Sequence, residues 1–453
     1  MFHIRGMGLI QDAVGALGGF LWGPPMLAVF LLTGAYLTVR SRGFPFRRPG
    51  LWVRSTFGTL LKKQEAAEGS ITQRQALASA LAACLGTGNI VGIATALTLG
   101  GPGAVFWMWV SAALGMMTCC AENILGVKYR WRTAAGGWMG GPMAYLERGL
   151  GSKGLAGVYA ALLALASFGI GNMTQANAIA EAAKHSFHAQ VNLVVGIVLA
   201  FLIGLVIFGG VGRIARVTEK IVPAMAGAFL LASFIVLVKN YRALPGAVGI
   251  IFRDAFQGRA IRYGVARGVF SNEAGLGSSA VVHAAADVKE PAIQGLWGIS
   301  EVFIDTLLMC TITALVFLCS GAWQGHEGVA MASAAFANVF GRWGGYFVSL
   351  SIALFAFATL TGWSFYGEQG ARYLLGEKSV KPYRVIYLGA IVIGCVMKLE
   401  TVWAVADVLN GLMAVPNLIG VIVLSGQATR ELRRWEMRHP PLKTMSTTYT
   451  APQ

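Results

Sequence analysis

Residues 85–92 read Leu-Gly-Thr-Gly-Asn-Ile-Val-Gly and interrupt an otherwise apolar segment that we predict to span a membrane over 73–98. A second segment, 257–285, carries a matching interruption, Phe-Ser-Asn-Glu-Ala-Gly-Leu-Gly-Ser-Ser at 270–279. Glycine, serine and asparagine weaken a helix, and freed backbone groups are tolerated at membrane depth only beside a cavity or a ligand. Two such interruptions at corresponding positions point to the binding site of a secondary transporter.

The first interruption has two competing interpretations. Its Gly-x-Gly pattern resembles part of a dinucleotide-binding fingerprint, but no strand is predicted before it and apolar helix continues on both sides, so we reject that interpretation. The spacing of Gly88 and Gly92 is also typical of a close helix-packing face. We favour a helix broken at mid-membrane, because such a break offers helix-end NH groups to a carboxylate and free carbonyls to a cation.

The composition places the chain in lipid. Of its 453 residues, 56% are hydrophobic and 12% are charged, whereas soluble domains have about 25% charged residues. The mean hydropathy is +0.62. The net charge of +16 comes from Lys and Arg in short connections, where the positive-inside bias accounts for them, so we expect no nucleic-acid partner. The six cysteines form no CxxC pair and the six histidines are scattered, so we expect neither a disulfide framework nor a metal cluster.

The apolar runs predict an all-α integral membrane protein with about eleven transmembrane helices. The stretch 328–366 is too long for one span, so we expect its first part to be an extracellular loop. The stretch 239–256 mixes charged and apolar residues, and we expect it to lie on the membrane surface. The predicted spans are 18–39, 73–98, 103–128, 154–183, 190–210, 213–238, 257–285, 292–320, 328–366, 383–399 and 401–426.

Lysine and arginine set the predicted orientation. The connection after the first span holds a block of them, which makes it cytoplasmic and places the N-terminus outside and the C-terminus inside a bacterial inner membrane. The basic loop at 242–262 falls outside and is an exception. Because one separate helix is followed by ten more, we predict that the chain has four regions. They are 1–72, an extra N-terminal helix and cytoplasmic loop; 73–238 and 239–426, two five-helix repeats of inverted topology; and 427–453, a cytoplasmic tail.

Glu273 is an ionisable group within the second interruption. Carboxylates inside a membrane are costly and usually functional. Glu273 is therefore either a proton carrier or a structural group that pairs with freed backbone NH groups or with Arg267. Four other acidic residues fall near predicted helix ends, where we expect structural roles. They are Glu122, Glu301, Asp305 and Asp407.

Two further polar patches fall at the depth of the interruptions. Gln175 lies in Asn-Met-Thr-Gln-Ala-Asn at 172–177, where a packing hydrogen bond is the alternative to a substrate contact. Thr359 and Trp363 are four residues apart and share one helix face. The hydroxyl could bind a hard cation and the indole could wall a small pocket, with ordinary aromatic packing as the alternative. The sequence has no evident nucleophile–base pair or phosphate-binding loop, so we do not expect an enzyme.

At these motifs the sequence resembles the alanine-or-glycine:cation symporter family, the sodium:alanine symporters. The matching stretches occur in family order and cover most of the chain from about residue 70 onward. They are GTGNIVGIATALTLGGPGAVFWMWVSAALGM at 86–116, GGPMAYLERGLG at 140–151, GNMTQANAIA at 171–180, GVFSNEAGLGSSAVVHAAA at 268–286 and TLTGWSFYGEQGARYLLG at 359–376.

The resemblance implies a LeuT-like fold of two inverted five-helix repeats with one extra N-terminal helix. It also implies Na⁺-coupled symport of a small neutral amino acid, alanine or glycine, by alternating access. Two alternatives remain: an H⁺-coupled carrier of another neutral amino acid, with Glu273 carrying the proton, and a sensor or channel on the same fold. The substrate-binding residues that the resemblance implies are Gly86, Thr87, Gly88, Asn89, Gln175, Phe270, Ser271, Gly275, Gly277, Thr359 and Trp363. For Na⁺ it implies carbonyls near Ala82 and Leu85, with hydroxyls of Thr359 or Thr361.

Overall fold

The computed structural model describes most of the chain as helix. At 185–187 and 399–405 it describes the backbone alone. The predicted tail beyond residue 440 lies outside the described residues. These are 15–60, 62, 65–187, 191–397 and 399–440.

The helices of the first half include one that is divided at the first interruption. A short antiparallel pair, β1 (Trp131–Arg132) and β2 (Trp138–Met139), follows the third long helix. The helices up to residue 239 are α1 (Pro24–Arg40, after helical turns at 15–21), α2 (Phe44–Arg47), α3 (Pro49–Ser55), α4 (Gln73–Cys84), α5 (Val91–Gly100), α6 (Ala104–Lys128), α7 (Pro142–Ala144), α8 (Lys153–Phe168), α9 (Thr174–Phe187), α10 (Asn192–Ile207) and α11 (Gly210–Lys239), with 3-10 turns at Phe57–Thr59 and Thr87–Asn89 and π-helical turns at Tyr145–Gly149 and Gly169–Met173.

The helices of the second half include one that is divided at the second interruption. They are α12 (Leu244–Arg253), α13 (Gly258–Asn272), α14 (Ser279–His283), α15 (Pro291–Val302), α16 (Thr311–Cys319), α17 (Gly328–Phe340), α18 (Arg342–Leu375), α19 (Val380–Val396) and α20 (Leu399–Arg438), with 3-10 turns at Tyr241–Ala243 and Glu377–Ser379 and a π-helical turn at Phe303–Cys310.

Eight helices of the described chain are long and apolar enough to cross a membrane. Exposed apolar side chains such as Leu193, Ile197 and Phe201 along α10 suit a surface that meets lipid. The fold is therefore that of an all-α integral membrane protein. The eight helices are Gly15–Arg40, Ala104–Lys128, Lys153–Lys184, Gly210–Lys239, Pro291–Cys319, Arg342–Leu375, Glu377–Val396 and Ala406–Arg438.

The start of the stretch 328–366 differs from the predicted loop, because it forms the helix α17. Met331, Ala335 and Phe336 are buried there, so the segment packs an apolar face against its neighbours instead of crossing open solvent. The chain then turns at Gly341 into α18. The prediction of a loop was therefore wrong.

The two divided helices lie side by side and are tied at one end. The backbone NH of Ile71, just before α4, donates to the carbonyl of Ala285 at 3.1 Å, and the NH of Asp287 donates to the carbonyl of Ile71 at 2.8 Å. This parallel bridge joins the beginning of α4 to the end of α14.

Arg130 reinforces the same end of α14. Its guanidinium donates to the carbonyls of Ala284 and Ala286, both at 2.6 Å, and to that of Val288 at 2.9 Å. Burial and the neighbouring Arg132 lower the pKa of Arg130 to about 10, which leaves it charged at neutral pH. A cation at carbonyl groups that end a helix is stabilising.

All six cysteines are buried and unpaired within the described residues. They are Cys84, Cys119, Cys120, Cys310, Cys319 and Cys395.

Candidate substrate and cation site

The first break separates α4 from α5. Leu85 leaves the helical conformation with ψ of 75°, and Gly86 is extended. The side-chain oxygen of Asn89 accepts a hydrogen bond from the NH of Gly86 at 3.1 Å, so the asparagine serves the backbone that the break frees. A Cβ on Gly86 would lie 2.6 Å from the Thr359 hydroxyl oxygen, and this close approach excludes any side chain.

The packing alternative for this motif finds no support in the geometry. A Cβ on Gly92 would meet nothing within 4 Å, and one on Gly88 would meet only the ring of Phe270, at 3.9 Å. Glycines in a close helix-packing face would have a neighbouring helix against them. Gly88 and Gly92 therefore do not form a close helix-packing face, and the helix break is the better interpretation of this motif.

Gln175 faces the first break from α9. Its carbonyl oxygen accepts from the Thr87 hydroxyl at 3.1 Å and from the Thr87 NH at 3.3 Å, while its amide donates to the carbonyl of Ile170 at 3.0 Å. The π-helical turn at Gly169–Met173 directly precedes α9, and such turns are frequent at functional sites. The structure thus brings Gln175 and Thr87 together, as a shared role requires.

Of the residues predicted for Na⁺, the structure brings two together. The Thr359 hydroxyl lies 3.0 Å from the carbonyl oxygen of Ala82 and 3.2 Å from that of Phe355. Thr361 is two residues further along α18 and so faces another direction; its hydroxyl donates to the carbonyl of Phe357 at 2.8 Å. Leu85 is buried at the start of the break.

The second break follows α13. Glu273 has a φ of +56°, a left-handed conformation that is strained for a non-glycine residue and needs surrounding contacts to hold it. The Trp363 indole donates to one carboxylate oxygen at 2.9 Å, and the Ser278 hydroxyl donates to the other. Both oxygens of Glu273 are therefore engaged, by a side chain of α18 and by the far end of the break.

Glu122 and Asn417 hold the middle of the second break. Glu122 accepts from the NH of Gly275 at 3.0 Å and from the Asn417 amide at 2.5 Å. The same amide donates to the carbonyl of Gly275 at 2.8 Å. At Gly277, φ is +75° and a Cβ would lie 2.6 Å from the Asn417 oxygen, so only glycine fits. Glu122 lies within the last two turns of α6, near the helix end as predicted, and these contacts suit the expected structural role.

Asp305 joins the two breaks, although the sequence predicted only a structural role for it near a helix end. Its carboxylate accepts from the Asn89 amide at 2.7 Å and from the hydroxyls of Ser271 at 2.8 Å and Thr306 at 2.7 Å. The side chain is fully buried within the π-helical turn Phe303–Cys310, far from either end of its span. An Asp-Thr pair in an apolar run was the available signal.

Glu301 and Asp407 complete the acidic residues of interest. Glu301 is fully buried beside His283, and it lies in the interior of the span Pro291–Cys319, unlike the predicted position near an end. Asp407 lies near the start of its span, as expected, and forms an ion pair with Arg267 at 3.7 Å.

Phe270, the residue just before the second break, lines a cavity of about 260 Å³. The guanidinium of Arg267 stacks over its ring with a centroid distance of 5.4 Å. The cavity offers both charges of the Arg267–Asp407 pair at its wall, and the indole of Trp22 donates to the Asp407 carbonyl at 2.8 Å.

Comparison with known proteins identifies the family of the chain. The sodium:alanine symporter family profile matches residues 7–448. The chain is 42% identical over 438 residues to a sodium/alanine symporter of Methanococcus maripaludis, covering 93% of this chain and 96% of that protein. It is 41% identical over 446 residues to an uncharacterized transporter of Haemophilus influenzae, covering 95% and 97%. It is 37% identical over 432 residues to a probable sodium/glutamine symporter of Bacillus subtilis, covering 92% and 89%. The chain therefore belongs to the sodium:alanine symporter family.

Proposed function

We propose that this chain is a symporter that uses Na⁺ to drive a small neutral amino acid, alanine or glycine, into the cytoplasm by alternating access. The observation that carries the proposal is the meeting of two helix breaks at Asp305, beside the paired oxygens of Ala82 and Thr359. Membership of the family and the alanine name of one relative support it.

The substrate carboxylate binds at the first break. It replaces the Gln175 oxygen at the NH and hydroxyl of Thr87, and the released carbonyl of Gln175 accepts from the substrate ammonium. A Cβ on Gly88 would meet only the ring of Phe270, so this glycine leaves room for a small ligand beside these groups. Ser271, Gly275 and Gly277 shape the facing second break.

The cation binds between the carbonyl of Ala82 and the hydroxyl of Thr359. A hydroxyl that donates to the carbonyl of Phe355 still has lone pairs for an ion, and carbonyl and hydroxyl oxygens are hard ligands that suit Na⁺. The carbonyl of Leu85 is a further ligand at the start of the break. Thr361, whose hydroxyl faces Phe357, contributes less than Thr359.

The pocket is small because Trp363 and Phe270 are both buried and bulky beside the breaks. The indole of Trp363 is fixed by Glu273, which limits its freedom to move aside for a larger side chain. Alanine and glycine should therefore bind better than leucine or phenylalanine.

The long helices are arranged as two inverted five-helix repeats, 73–238 and 239–426, after one extra N-terminal helix. The divided helix α4/α5 opens the first repeat and α13/α14 opens the second. With the N-terminus outside a bacterial inner membrane, the tied ends of α4 and α14 face the cytoplasm.

Uptake into proteoliposomes tests the proposal. Radiolabelled alanine and glycine are offered first with an imposed Na⁺ gradient and then with an imposed pH gradient. Accumulation above the outside concentration with the Na⁺ gradient supports a coupled carrier. Equilibration without accumulation under either gradient would contradict it and indicate a channel.

A further inference from the structure

A second buried ionisable cluster lies beyond the breaks. His283, at the end of α14, and Glu301, on α15, are both fully buried, and the ring Nε2 lies 3.3 Å from a carboxylate oxygen of Glu301. The other ring nitrogen lies 2.6 Å from the side-chain oxygen of Gln294. Within the described residues, the second oxygen of Glu301 and the amide nitrogen of Gln294 have no hydrogen-bond partner.

This geometry implies a bound proton. If Nδ1 of His283 donates to Gln294, then Nε2 and the Glu301 oxygen face each other as two acceptors unless a proton lies between them. Turning the Gln294 amide removes that conflict but leaves a buried carboxylate with a neutral imidazole and no compensating charge, which is costly. A proton shared by the pair keeps the cluster neutral overall, whichever atom carries it.

The groups around the pair do not supply that compensation. From α6, the Cys119 thiol lies 3.7 Å from Glu301, and the amide of Asn123 donates to the backbone carbonyl of Gln294 at 3.4 Å. The other acidic groups nearby are Glu122, engaged with Gly275, and those of the breaks, Glu273 and Asp305. The guanidinium of Arg130 donates to the carbonyls of Ala284 and Ala286, just beyond His283 in the chain.

We propose that His283 and Glu301 form a proton-binding site whose occupancy is linked to the position of α14. The inference rests on the proposed function, because it assigns a second coupled ion to that transport cycle. The two partners belong to different elements: His283 to the half-helix that leaves the second break, and Glu301 to the helix packed beside it.

Movement of α14 couples proton binding at this site to substrate binding at the breaks. Ser278 binds Glu273 at the break, and Ser279, the first residue of α14, lies 3.6 Å from the Cys119 thiol and 3.4 Å from Asn123. When α14 moves away from α15 to open the cytoplasmic side, His283 and Glu301 separate and meet water. The N–H bond of the imidazolium then breaks, and the proton passes to water, leaving neutral imidazole and a carboxylate.

Alanine and the proton therefore favour the same position of α14, and each must tighten the binding of the other. The test is calorimetric titration of alanine into the purified protein in saturating Na⁺, in buffers of different ionisation enthalpy, between about pH 5 and 8. Proton uptake on binding is expected, with the alanine dissociation constant falling as pH falls, by at most about tenfold per pH unit for one proton. Glu301→Gln and His283→Gln should each still bind alanine but lose most of this pH dependence. His326→Gln, at an exposed histidine, should keep it.

Three results would overturn the proton site. They are the absence of proton exchange when alanine binds to the wild-type protein, a pH dependence of alanine binding that is undiminished in both variants, and an infrared imidazolium band that stays unchanged when alanine binds to wild-type protein labelled with ¹³C-histidine. The infrared measurement needs no variant, so it decides the matter even where neither substitution folds. Failure of alanine to bind at every pH would contradict the proposed function itself, which distinguishes the two.

Discussion

At the scale of single residues, Gln175 carries the clearest expectation. Its carbonyl is the side-chain acceptor that the structure aims at Thr87. Gln175→Ala should weaken alanine binding roughly tenfold to a hundredfold, because a hydrogen bond to a charged group contributes about 1.5–3 kcal/mol. Equilibrium binding of radiolabelled alanine measures this.

Asn177→Ala is the matched control for Gln175→Ala. The amide of Asn177 lies two residues along the same helix but donates to the carbonyls of Gly394 and Met397 on the far side. We expect that variant to lose thermal stability and keep its alanine affinity. Equal losses of alanine affinity in both variants would contradict the assignment of Gln175 to the substrate site.

Thr359 and Thr361 can now be told apart. Thr359→Ala removes the hydroxyl that meets Ala82 and should raise the Na⁺ concentration needed for half-maximal alanine uptake by about tenfold or more. Thr359→Ser keeps the hydroxyl and should restore most of the Na⁺ response. Thr361→Ala should have the smaller effect. A larger effect at Thr361 would contradict the assignment of the cation to Thr359.

At Asp305, one substitution can remove the negative charge without changing the size of the side chain. Asp305→Asn keeps the size of the side chain. It places an NH₂ group opposite donors that bind the carboxylate in the native protein, such as the amide of Asn89. We expect loss of alanine binding together with a lower melting temperature, since a buried donor is left unsatisfied. Asp254→Asn, at a surface ion pair, should change neither. Normal alanine binding by Asp305→Asn would show that the breaks do not depend on this carboxylate.

At the scale of elements, the first break depends on the absence of a side chain at one position. Gly86→Ala would place a Cβ 2.6 Å from Thr359 and 3.2 Å from Gln175, so the two elements must move apart and binding of both alanine and Na⁺ should be lost. Gly92→Ala lies in α5 with open space around it and should be tolerated. Uptake by both variants, compared at equal expression, decides this. An active Gly86→Ala variant would mean that the break and α18 are not packed as described.

Both breaks were predictable from sequence because their causes are local. Glycine, serine and asparagine at 86–89 and 271–278 disfavour helix wherever the chain places them. The helix α17 was missed because a long apolar stretch does not reveal where it will turn, and Gly341 alone is a weak signal. Asp305 and Glu122 were undervalued for a different reason: their partners, such as Asn89 and Asn417, are hundreds of residues away or on unrelated helices, and no periodicity encodes that.

At the scale of the whole molecule, the proposed sodium and alanine sites have a thermodynamic consequence. In that proposal the cation binds carbonyls that the first break frees, and the substrate binds the next residues of the same break, so both ligands favour one conformation. Raising Na⁺ should lower the apparent dissociation constant for alanine, and saturating alanine should lower that for Na⁺ by the same factor. Binding titrations of each ligand at fixed concentrations of the other measure both factors. Alanine binding that ignores Na⁺, or two factors that differ, would break the proposed linkage.

The six buried cysteines give the wild-type chain a low background reactivity toward membrane-impermeant thiol reagents. A single cysteine introduced at Ala266, which lines the cavity outside Phe270, or at Ala135, which lines a cavity near the tied ends of α4 and α14, would then be labelled almost alone. Under the proposed topology we expect the two positions to lie on opposite faces of the protein. Alternation between faces can therefore be followed in the native sequence background, without first building a cysteine-free protein.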